Sequence, residues 1–383
     1  MKTLYTNANI YDSDVREFIE GELCVEDGYI SYIAGGLFAS DHEGVEVVDL
    51  GGAYLVPGLV DVHSHGRAHG DFTSADDKRL AQMLESYVHS GVTSVMATLA
   101  TAPMDELMAA IDRIGDCDTR YSSALIGIHL EGRYLNPKFK GAHAEWLLAK
   151  PDAGEIAELV AKMSRAGLVH VSAALELDEG GEFLRALLER GATVGLAHTG
   201  ANFDEAEKAF ASGAVSLTHT FNAMTPIHHR DGGVITAAVN NDEVYCELIA
   251  DGFHVAPQVV KLLYNMKGDR TVLITDSMEA TGCPDGEYSI AGLPVTVKDG
   301  KARTHEGAIA GSTLSLIDGV KNFCEFAGVR FEDALYCATA SPAIMVGAYE
   351  SVGSLDVGKR ANMLVLDGDY NVEQVILDGN RVK

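Results

Sequence analysis

The chain has 383 residues, of which 47% are hydrophobic and 40 are glycine, and its 29 basic and 56 acidic side chains give a formal net charge of −27. This composition is typical of a globular protein with a large core and excludes a fibrous or disordered chain. No apolar run approaches the roughly 20 residues needed to cross a bilayer, so we expect no membrane partner. The acidic balance excludes a nucleic-acid partner, because such proteins need a cationic surface to displace phosphate counterions.

The amino-terminal residues contain no apolar signal core with a small-residue cleavage site. The six cysteines are scattered, with no C-x-x-C pair, which is typical of reduced thiols in a reducing compartment. We therefore expect a cytoplasmic protein.

The predicted elements at both ends of the chain are short strands. They cover residues 4–9, 22–25, 29–34 and 45–50 at the start, and 362–366 and 374–377 at the end. Neither end has enough apolar positions to bury a core alone. We therefore predict one small β-sandwich domain formed by residues 1–53 and 346–383.

Between the ends, eight apolar runs alternate with mostly helical patterns. The runs cover residues 54–60, 93–98, 124–130, 169–175, 193–197, 214–217, 244–250 and 272–275. Near-continuous apolar runs are typical of strands buried on both faces of a parallel sheet. Two helical patterns, over residues 182–190 and 204–211, are followed by Gly191 and Gly213, as helix ends often are. The pattern predicts an α/β fold, a (β/α)8 TIM barrel over residues 54–345.

Polar residues follow most of these runs, at the end of the barrel where catalytic groups gather. In chain order they are His63 and His65, Glu131, Glu176, His198, His219, Asp251 with His254, and Asp276. His63 and His65 are alternate residues of one strand, so they share a face. Any single histidine is more often a surface or hydrogen-bonded core residue. Two imidazoles and a carboxylate together, from His198, His219 and Glu131, are typical of a hydrolytic metal site with an open coordination position.

Asp276 ends the last run, in VLITDSM. Alone it would be interpreted as a helix or turn cap, but opposite a metal it can accept the proton of an attacking water. Because a metal site is predicted at this end of the barrel, we predict that Asp276 acts as the base. The segment from Gly353 to Lys359 matches G-x-x-x-x-G-K, but Arg360 follows it and a strand comes next, so it is not a phosphate loop.

Several segments resemble the amidohydrolase superfamily: PGLVDVHSH near the start and VGSLDVGKRANMLVLD near the end. Within it, HLEGRYLNPKFKGAH, AHTGAN, THTFNAMTPIHHRDGG, ADGFHV, ITDSMEATG and GAIAGSTLSL resemble the N-acetylglucosamine-6-phosphate deacetylases. The resemblance covers nearly the whole chain. It implies metal-dependent hydrolysis of the N-acetyl group of N-acetylglucosamine-6-phosphate in amino-sugar catabolism, with glucosamine-6-phosphate and acetate as products.

The resemblance also implies roles for single residues. It implies a metal held by Glu131, His198 and His219, with Asp276 as the catalytic acid and base. His143 would help to polarise the acetyl carbonyl. His63 and His65 become candidate ligands of a second ion, so one or two divalent ions per chain are expected, zinc or iron foremost.

For the sugar phosphate, the resemblance implies contacts with Asn222, Ala223 and His254. Arg230 would add positive charge from the neighbouring subunit of a homodimer. Arg133 departs from the family pattern, which usually has proline there, and it either touches substrate or packs outward. No lysine ends the fourth strand, in ALELDEG, so Glu131 is the expected bridge between two metals.

Three alternatives stay open. One is deacetylation of N-acetylgalactosamine-6-phosphate, and another is a cyclic-amide hydrolase of the dihydroorotase type. The third is a catalytically silent sugar-phosphate sensor on the same barrel, which would have no need of Asp276. The run GEYSIAGLPVTVKDGKARTHEGAIAG is expected to form a hairpin or lid over the barrel mouth.

Overall fold

The structure is a computed structural model and describes residues 2–36 and 44–383. The chain begins with β1 (Lys2–Asp12), β2 (Glu17–Glu26), β3 (Tyr29–Gly35), β4 (Glu46–Asp49) and β5 (Tyr54–Pro57). Strand β1 pairs antiparallel with β2 and parallel with both β4 and β5, and β2 pairs antiparallel with β3. These strands form the first part of a terminal sheet.

The barrel begins with β6 (Leu59–Ser64), which is followed by a small hairpin of β7 (Gly66–Arg67) and β8 (Gly70–Asp71). The other barrel strands are β9 (Val92–Leu99), β10 (Leu125–Glu131), β11 (Leu168–Ala173), β12 (Thr193–Leu196), β13 (Ser216–Leu217), β14 (Tyr245–Ile249) and β15 (Thr271–Ile274). They pair in parallel from β6 through β9 to β15. The barrel closes between β15 and β6, where the Asp276 N–H donates to the His63 carbonyl at 2.9 Å. The predicted TIM barrel is confirmed.

The helices cover the outside of the barrel. They are α1 (Asp77–His89), α2 (Met104–Gly115), α3 (Ala153–Met163), α4 (Glu182–Leu188), α5 (Phe203–Ala211), α6 (Gly233–Asn240), α7 (Pro257–Lys267), α8 (Leu316–Phe323), α9 (Phe331–Tyr336) and α10 (Ala340–Met345). Helix α1 buries Leu80, Leu84 and Tyr87 on one face, because residues three and four apart share a side of a helix. Helix α5 begins with a capping box between Asn202 and Glu205. None of the described helices combines the length and the apolar character that a membrane crossing requires.

A three-stranded antiparallel sheet follows the eighth barrel strand. It consists of β16 (Gly286–Ile290), β17 (Leu293–Lys298) and β18 (Lys301–Thr304). Its buried residues Ile290, Val295 and Val297 pack in one cluster with Met278 and Ala310. The segment predicted as a hairpin or lid is therefore a small sheet with its own apolar contacts.

The last strands are β19 (Met363–Leu366), β20 (Val372–Leu377) and β21 (Asn380–Arg381). Strand β19 pairs antiparallel with β5, so both ends of the chain join one continuous terminal sheet. This sheet has a core of its own, which includes Leu23, Leu55, Met363 and Ile376. The division at residues 53 and 346 stays a prediction.

The prediction that residues 54–60 form one barrel strand is wrong for the first half of this run. Strand β5 belongs to the terminal sheet, and the first barrel strand starts at Leu59. The chain passes from one to the other at Gly58, where an added Cβ would lie 1.9 Å from Thr93 Oγ1. Only glycine fits such a close approach, and the apolar run continues through it, so hydrophobicity did not reveal the break.

Candidate active site

The strand ends bring the predicted ligands and the predicted base together. His63 and His65 lie at the end of β6, Glu131 ends β10, and His198, His219 and Asp276 follow β12, β13 and β15. All are buried, with exposed fractions between 0% and 9%. His198, His219 and Asp276 have φ values of +44°, +31° and +46°. Left-handed backbone is costly for residues other than glycine, and such strain is often found at functional sites.

Glu131 lies at the centre of this cluster. Its Oε1 is 2.8 Å from His219 Nε2 and 3.3 Å from His198 Nε2. Its Oε2 is 2.9 Å from His65 Nε2 and 3.3 Å from His63 Nε2. Each carboxylate oxygen therefore faces one pair of imidazoles, which is the geometry of a carboxylate that can bridge two cations.

The donor set fits a divalent metal. His198 Nδ1 donates to the Phe139 carbonyl at 2.7 Å and His63 Nδ1 donates to Glu247 Oε2 at 3.0 Å, so both rings direct Nε2 at the cluster, where it can bind a cation once it is unprotonated. His198 Nε2 and His219 Nε2 are only 3.1 Å apart. Neutral imidazoles and carboxylates are ligands that several divalent transition metals accept. Ligand atoms of His63, His65, Glu131 and Asp276 all lie within 4.8 Å of one another, as do those of Glu131, His143 and His198.

The electrostatics of the cluster favour positive charge. Burial acts to lower the pKa of His65, but hydrogen bonds to Asp276 and Glu131 raise this pKa to about 9. Burial acts to raise the pKa of Asp276, but the imidazoles of His63 and His65 lower it to about 2. The carboxylates are therefore ionised, and the cluster attracts a proton or a metal cation.

Asp276 and His143 stand beside the cluster. Asp276 Oδ1 is 3.4 Å from His65 Nε2 and 3.6 Å from His63 Nε2. His143 Nε2 is 3.9 Å from Glu131 Oε2. Burial, followed by the charge of His198, lowers the pKa of His143 to about 3, so its ring is neutral at pH 7.

The tautomer of His143 follows from its hydrogen bond to Thr101. The Thr101 Oγ1 lies 2.8 Å from His143 Nδ1 and accepts the Arg133 N–H at 3.1 Å. Among the described residues, no other acceptor lies within hydrogen-bond distance of this buried hydroxyl, so we infer that the hydroxyl donates its proton to His143 Nδ1. The proton of the His143 ring is then on Nε2, on the side of the cluster.

A cavity of about 380 Å³ opens above the cluster. This volume lies within the roughly 300–1,000 Å³ of ordinary small-molecule sites. Its lining includes His65, Glu131, His143, His198, His219 and Asp276, the predicted substrate residues Asn222, Ala223 and His254, Ile290 from β16, and Ala308 and Ile309 from the segment after β18. His254 is oriented by Asp251, whose Oδ2 accepts its Nδ1–H at 2.6 Å. His63 lies deeper, with no exposed surface.

Arg230 does not line the cavity of its own chain. It is exposed, and its Nη1 donates to His229 Nε2 at 2.7 Å. Arg133 also points elsewhere, because its Nε donates to Glu155 Oε1 at 3.2 Å. Of the two positions considered for Arg133, its side chain therefore takes the outward one, against Glu155 and away from the cavity.

Sequence reasoning missed three residues of the site. Lys138 lines the cavity, Thr101 contacts His143 and Glu247 contacts His63. Glu176, which also ends a strand, is not part of the cluster. Its carboxylate ties loops together by accepting hydrogen bonds from Asn136 Nδ2, Thr199 Oγ1 and the Gly200 N–H at 2.7 to 2.8 Å.

Curated relatives of this chain are sugar-phosphate deacetylases. The N-acetylglucosamine-6-phosphate deacetylase of Vibrio furnissii is 35% identical over 339 residues, which cover 88% of this chain and 85% of the relative. The N-acetylgalactosamine-6-phosphate deacetylase of Escherichia coli O157:H7 is 34% identical over 366 residues, covering 95% and 97%.

Solved structures of N-acetylglucosamine-6-phosphate deacetylases are similar to this chain in fold. The N-acetylglucosamine-6-phosphate deacetylase from Pasteurella multocida superimposes with a TM-score of 0.93 at 29% identity, covering 100% of this chain and 99% of that one. A mutant of the Mycobacterium smegmatis enzyme in complex with N-acetyl-D-glucosamine-6-phosphate gives a TM-score of 0.92 at 30% identity, with the same coverage. Residues 54–382 match the amidohydrolase family as a whole. With this match, the barrel and the cluster at its mouth, the chain belongs to the amidohydrolase family.

Proposed function

We propose that the chain hydrolyses the N-acetyl group of N-acetylglucosamine-6-phosphate, giving glucosamine-6-phosphate and acetate. The observation that carries this proposal is the convergence of Glu131, His198 and His219 with Asp276 on one cavity. The names of the relatives from Vibrio furnissii and Pasteurella multocida support the substrate.

The metal is part of the same proposal. Glu131, His198 and His219 would hold one divalent ion, and His63, His65 and Glu131 would hold a second. Zinc and iron both accept these nitrogen and oxygen ligands. Such an ion supplies Lewis-acid polarisation of the acetyl carbonyl and lowers the pKa of a water molecule.

Asp276 moves the proton in the proposed reaction. A neighbouring divalent ion would favour the ionised form of this carboxylate, so Oδ1 can take the proton from water as that water attacks the acetyl carbon. The same carboxyl group then protonates the departing amine nitrogen of the sugar. One residue thus serves first as base and then as acid.

His143 is the proposed donor to the carbonyl oxygen. A neutral ring with its proton on Nε2 can donate a hydrogen bond to the oxygen as negative charge develops there. The Thr101 hydroxyl holds this tautomer from the opposite side of the ring. His143 needs no ionisation to act in this way.

Recognition of the phosphate requires local positive charge, because the net charge of −27 repels an anionic substrate. The cavity wall offers the positive charge of Lys138 and the polar side chains of His254 and Asn222. We further propose a homodimer in which Arg230 reaches the cavity of the neighbouring subunit. Its exposed position, outside its own cavity, is compatible with this role, and a planar guanidinium suits a phosphate.

N-acetylgalactosamine-6-phosphate is the second candidate substrate. The relative from Escherichia coli O157:H7 that carries this name covers 95% of the chain at 34% identity, against 35% for the first relative. The two sugars differ in the configuration of one hydroxyl group.

The test is acetate release from both N-acetylhexosamine phosphates and from unphosphorylated N-acetylglucosamine. We expect a higher kcat/KM for N-acetylglucosamine-6-phosphate than for its epimer, and much weaker turnover of the unphosphorylated sugar. The reverse order of the two phosphates would establish the second candidate. Turnover of cyclic amides alone, or binding of sugar phosphate without acetate release, would contradict the proposal.

A further inference from the structure

Glu247 is a fully buried carboxylate in the middle of β14. Its exposed fraction is 0%, and its neighbours Cys246 and Leu248 are also fully buried. Burying a carboxylate is expensive unless it accepts hydrogen bonds. An acidic residue at this depth therefore needs a local reason.

The contacts of Glu247 link two parts of the candidate metal site. Its Oε2 accepts the Nδ1–H of His63 at 3.0 Å and the backbone N–H of His219 at 3.3 Å. Its backbone carbonyl accepts the N–H of Thr220 at 2.9 Å. One carboxylate oxygen thus joins the end of β6 to the loop that follows β13.

The four candidate imidazole ligands differ in how their Nδ1 atoms are held. His198 is held by the backbone carbonyl of Phe139, which no side-chain substitution removes. Nδ1 of His65 and Nδ1 of His219 have no hydrogen-bond partner among the described residues. His63 alone of the four is held by another side chain, that of Glu247.

The other oxygen of Glu247 makes the role of this contact testable. Glu247 Oε1 lies 3.9 Å from His170 Nε2, and neither atom has a hydrogen-bond partner in the described part of the chain. The Thr193 hydroxyl donates to the Val169 carbonyl, so it accepts the proton of His170 Nδ1 at 2.9 Å. His170 Nε2 then carries no proton. It and Glu247 Oε1 are therefore both hydrogen-bond acceptors, with no donor to pair them.

We propose that Glu247 is a positioning residue, which keeps the proton of His63 on Nδ1 and so directs its Nε2 at the ion shared with His65 and Glu131. This inference rests on the proposed metal-dependent function. Partners of this kind orient a metal-bound histidine, and their loss typically costs about 10- to 100-fold in metal affinity.

Two variants distinguish the effect of the Glu247 acceptor oxygen from the effect of the bulk of its side chain. Glu247→Leu removes the acceptor. Glu247→Gln keeps an oxygen for His63 and His219 and turns its NH2 group toward the unpaired His170 Nε2. The matched control is Lys267→Met, which removes buried hydrogen bonds to the carbonyls of Ala238 and Asn241, on α6 and just after it, without touching the cluster.

The experiment is a zinc titration of the metal-free full-length chain, with thermal unfolding in chelator as the measure of folding. We expect Glu247→Leu to bind the second ion about 10- to 100-fold more weakly while the first ion is retained. Glu247→Gln should stay close to the wild-type affinity, and Lys267→Met should lose thermal stability but neither ion.

The outcomes that overturn the inference are distinct from those that overturn the function. Undiminished binding of the second ion by Glu247→Leu would refute the inference alone. So would an equal loss of both ions together with a lower unfolding midpoint, which would show a merely structural role. Failure of the wild-type chain to bind zinc or iron at all would refute the proposed function as well.

Discussion

The contact between Thr101 and His143 allows a quantitative prediction. Thr101 is fully buried, and its hydroxyl donates to Nδ1 of His143, which leaves the ring proton on Nε2. The substitution Thr101→Val keeps the shape of the side chain and removes this donor. In the variant nothing holds the proton on the side of the cavity.

The expected loss follows from the worth of one buried hydrogen bond. A neutral hydrogen bond contributes about 0.5–1.5 kcal/mol, and each 1.36 kcal/mol is about tenfold in rate. We therefore expect kcat to fall by about 2- to 13-fold. This is smaller than the roughly 10²- to 10³-fold loss expected when a donor to an oxyanion is deleted outright. KM should hardly change, because Thr101 does not line the cavity.

The assay is steady-state acetate release by the variant and by Thr101→Ser, which restores a hydroxyl. The serine variant should recover most of the lost kcat. The valine variant should also unfold at lower temperature, because the Arg133 N–H loses its acceptor, and a buried unpaired donor costs about 1–3 kcal/mol. Wild-type kcat in Thr101→Val, or equal losses in both variants, would refute the tautomer argument.

Three further predictions concern the base, the phosphate and the metal. Asp276→Asn should retain metal and lose about 10²- to 10⁴-fold in kcat, and near-normal turnover would remove Asp276 from its role. Arg230→Ala should raise KM for the phosphorylated sugar and leave the weak turnover of unphosphorylated N-acetylglucosamine unchanged, whereas equal losses on both would place the phosphate elsewhere. The pKa of His65 in the metal-free cluster is about 9, so its proton competes with the metal below that pH. Metal affinity in a competition titration should therefore rise between pH 6 and 8.5, and a constant affinity would contradict the assigned charges.

Much of the site could be predicted from where polar residues interrupt apolar runs. Glu131 ends a barrel strand, His198, His219 and Asp276 come just after the ends of three others, and parallel strands end on the same face. The fold therefore brings their backbones to the same face of the barrel. Glu176 shows the limit of this rule. It also follows an apolar run, but its carboxylate accepts hydrogen bonds from the loop residues Asn136, Thr199 and Gly200 and does not join the cluster.

Two of the residues that sequence reasoning missed, Glu247 and Thr101, act through neighbours distant in sequence. Glu247 lies inside an apolar run, and its role depends on His63, 184 residues away. Thr101 belongs to no motif in the sequence, and its role depends on the contact of its hydroxyl with His143. The break at Gly58 was hidden for a similar reason, since the close approach of Thr93 is a tertiary contact.

In the proposed mechanism, Glu131, His198 and His219 hold a divalent cation. Anomalous X-ray diffraction from crystals of active protein, at the absorption edge of the metal that it contains, tests this most directly. We expect a peak at about 2.0–2.2 Å from Glu131 Oε1, His198 Nε2 and His219 Nε2. A fully active crystal with no peak there, or with its metal bound elsewhere in the chain, would contradict it.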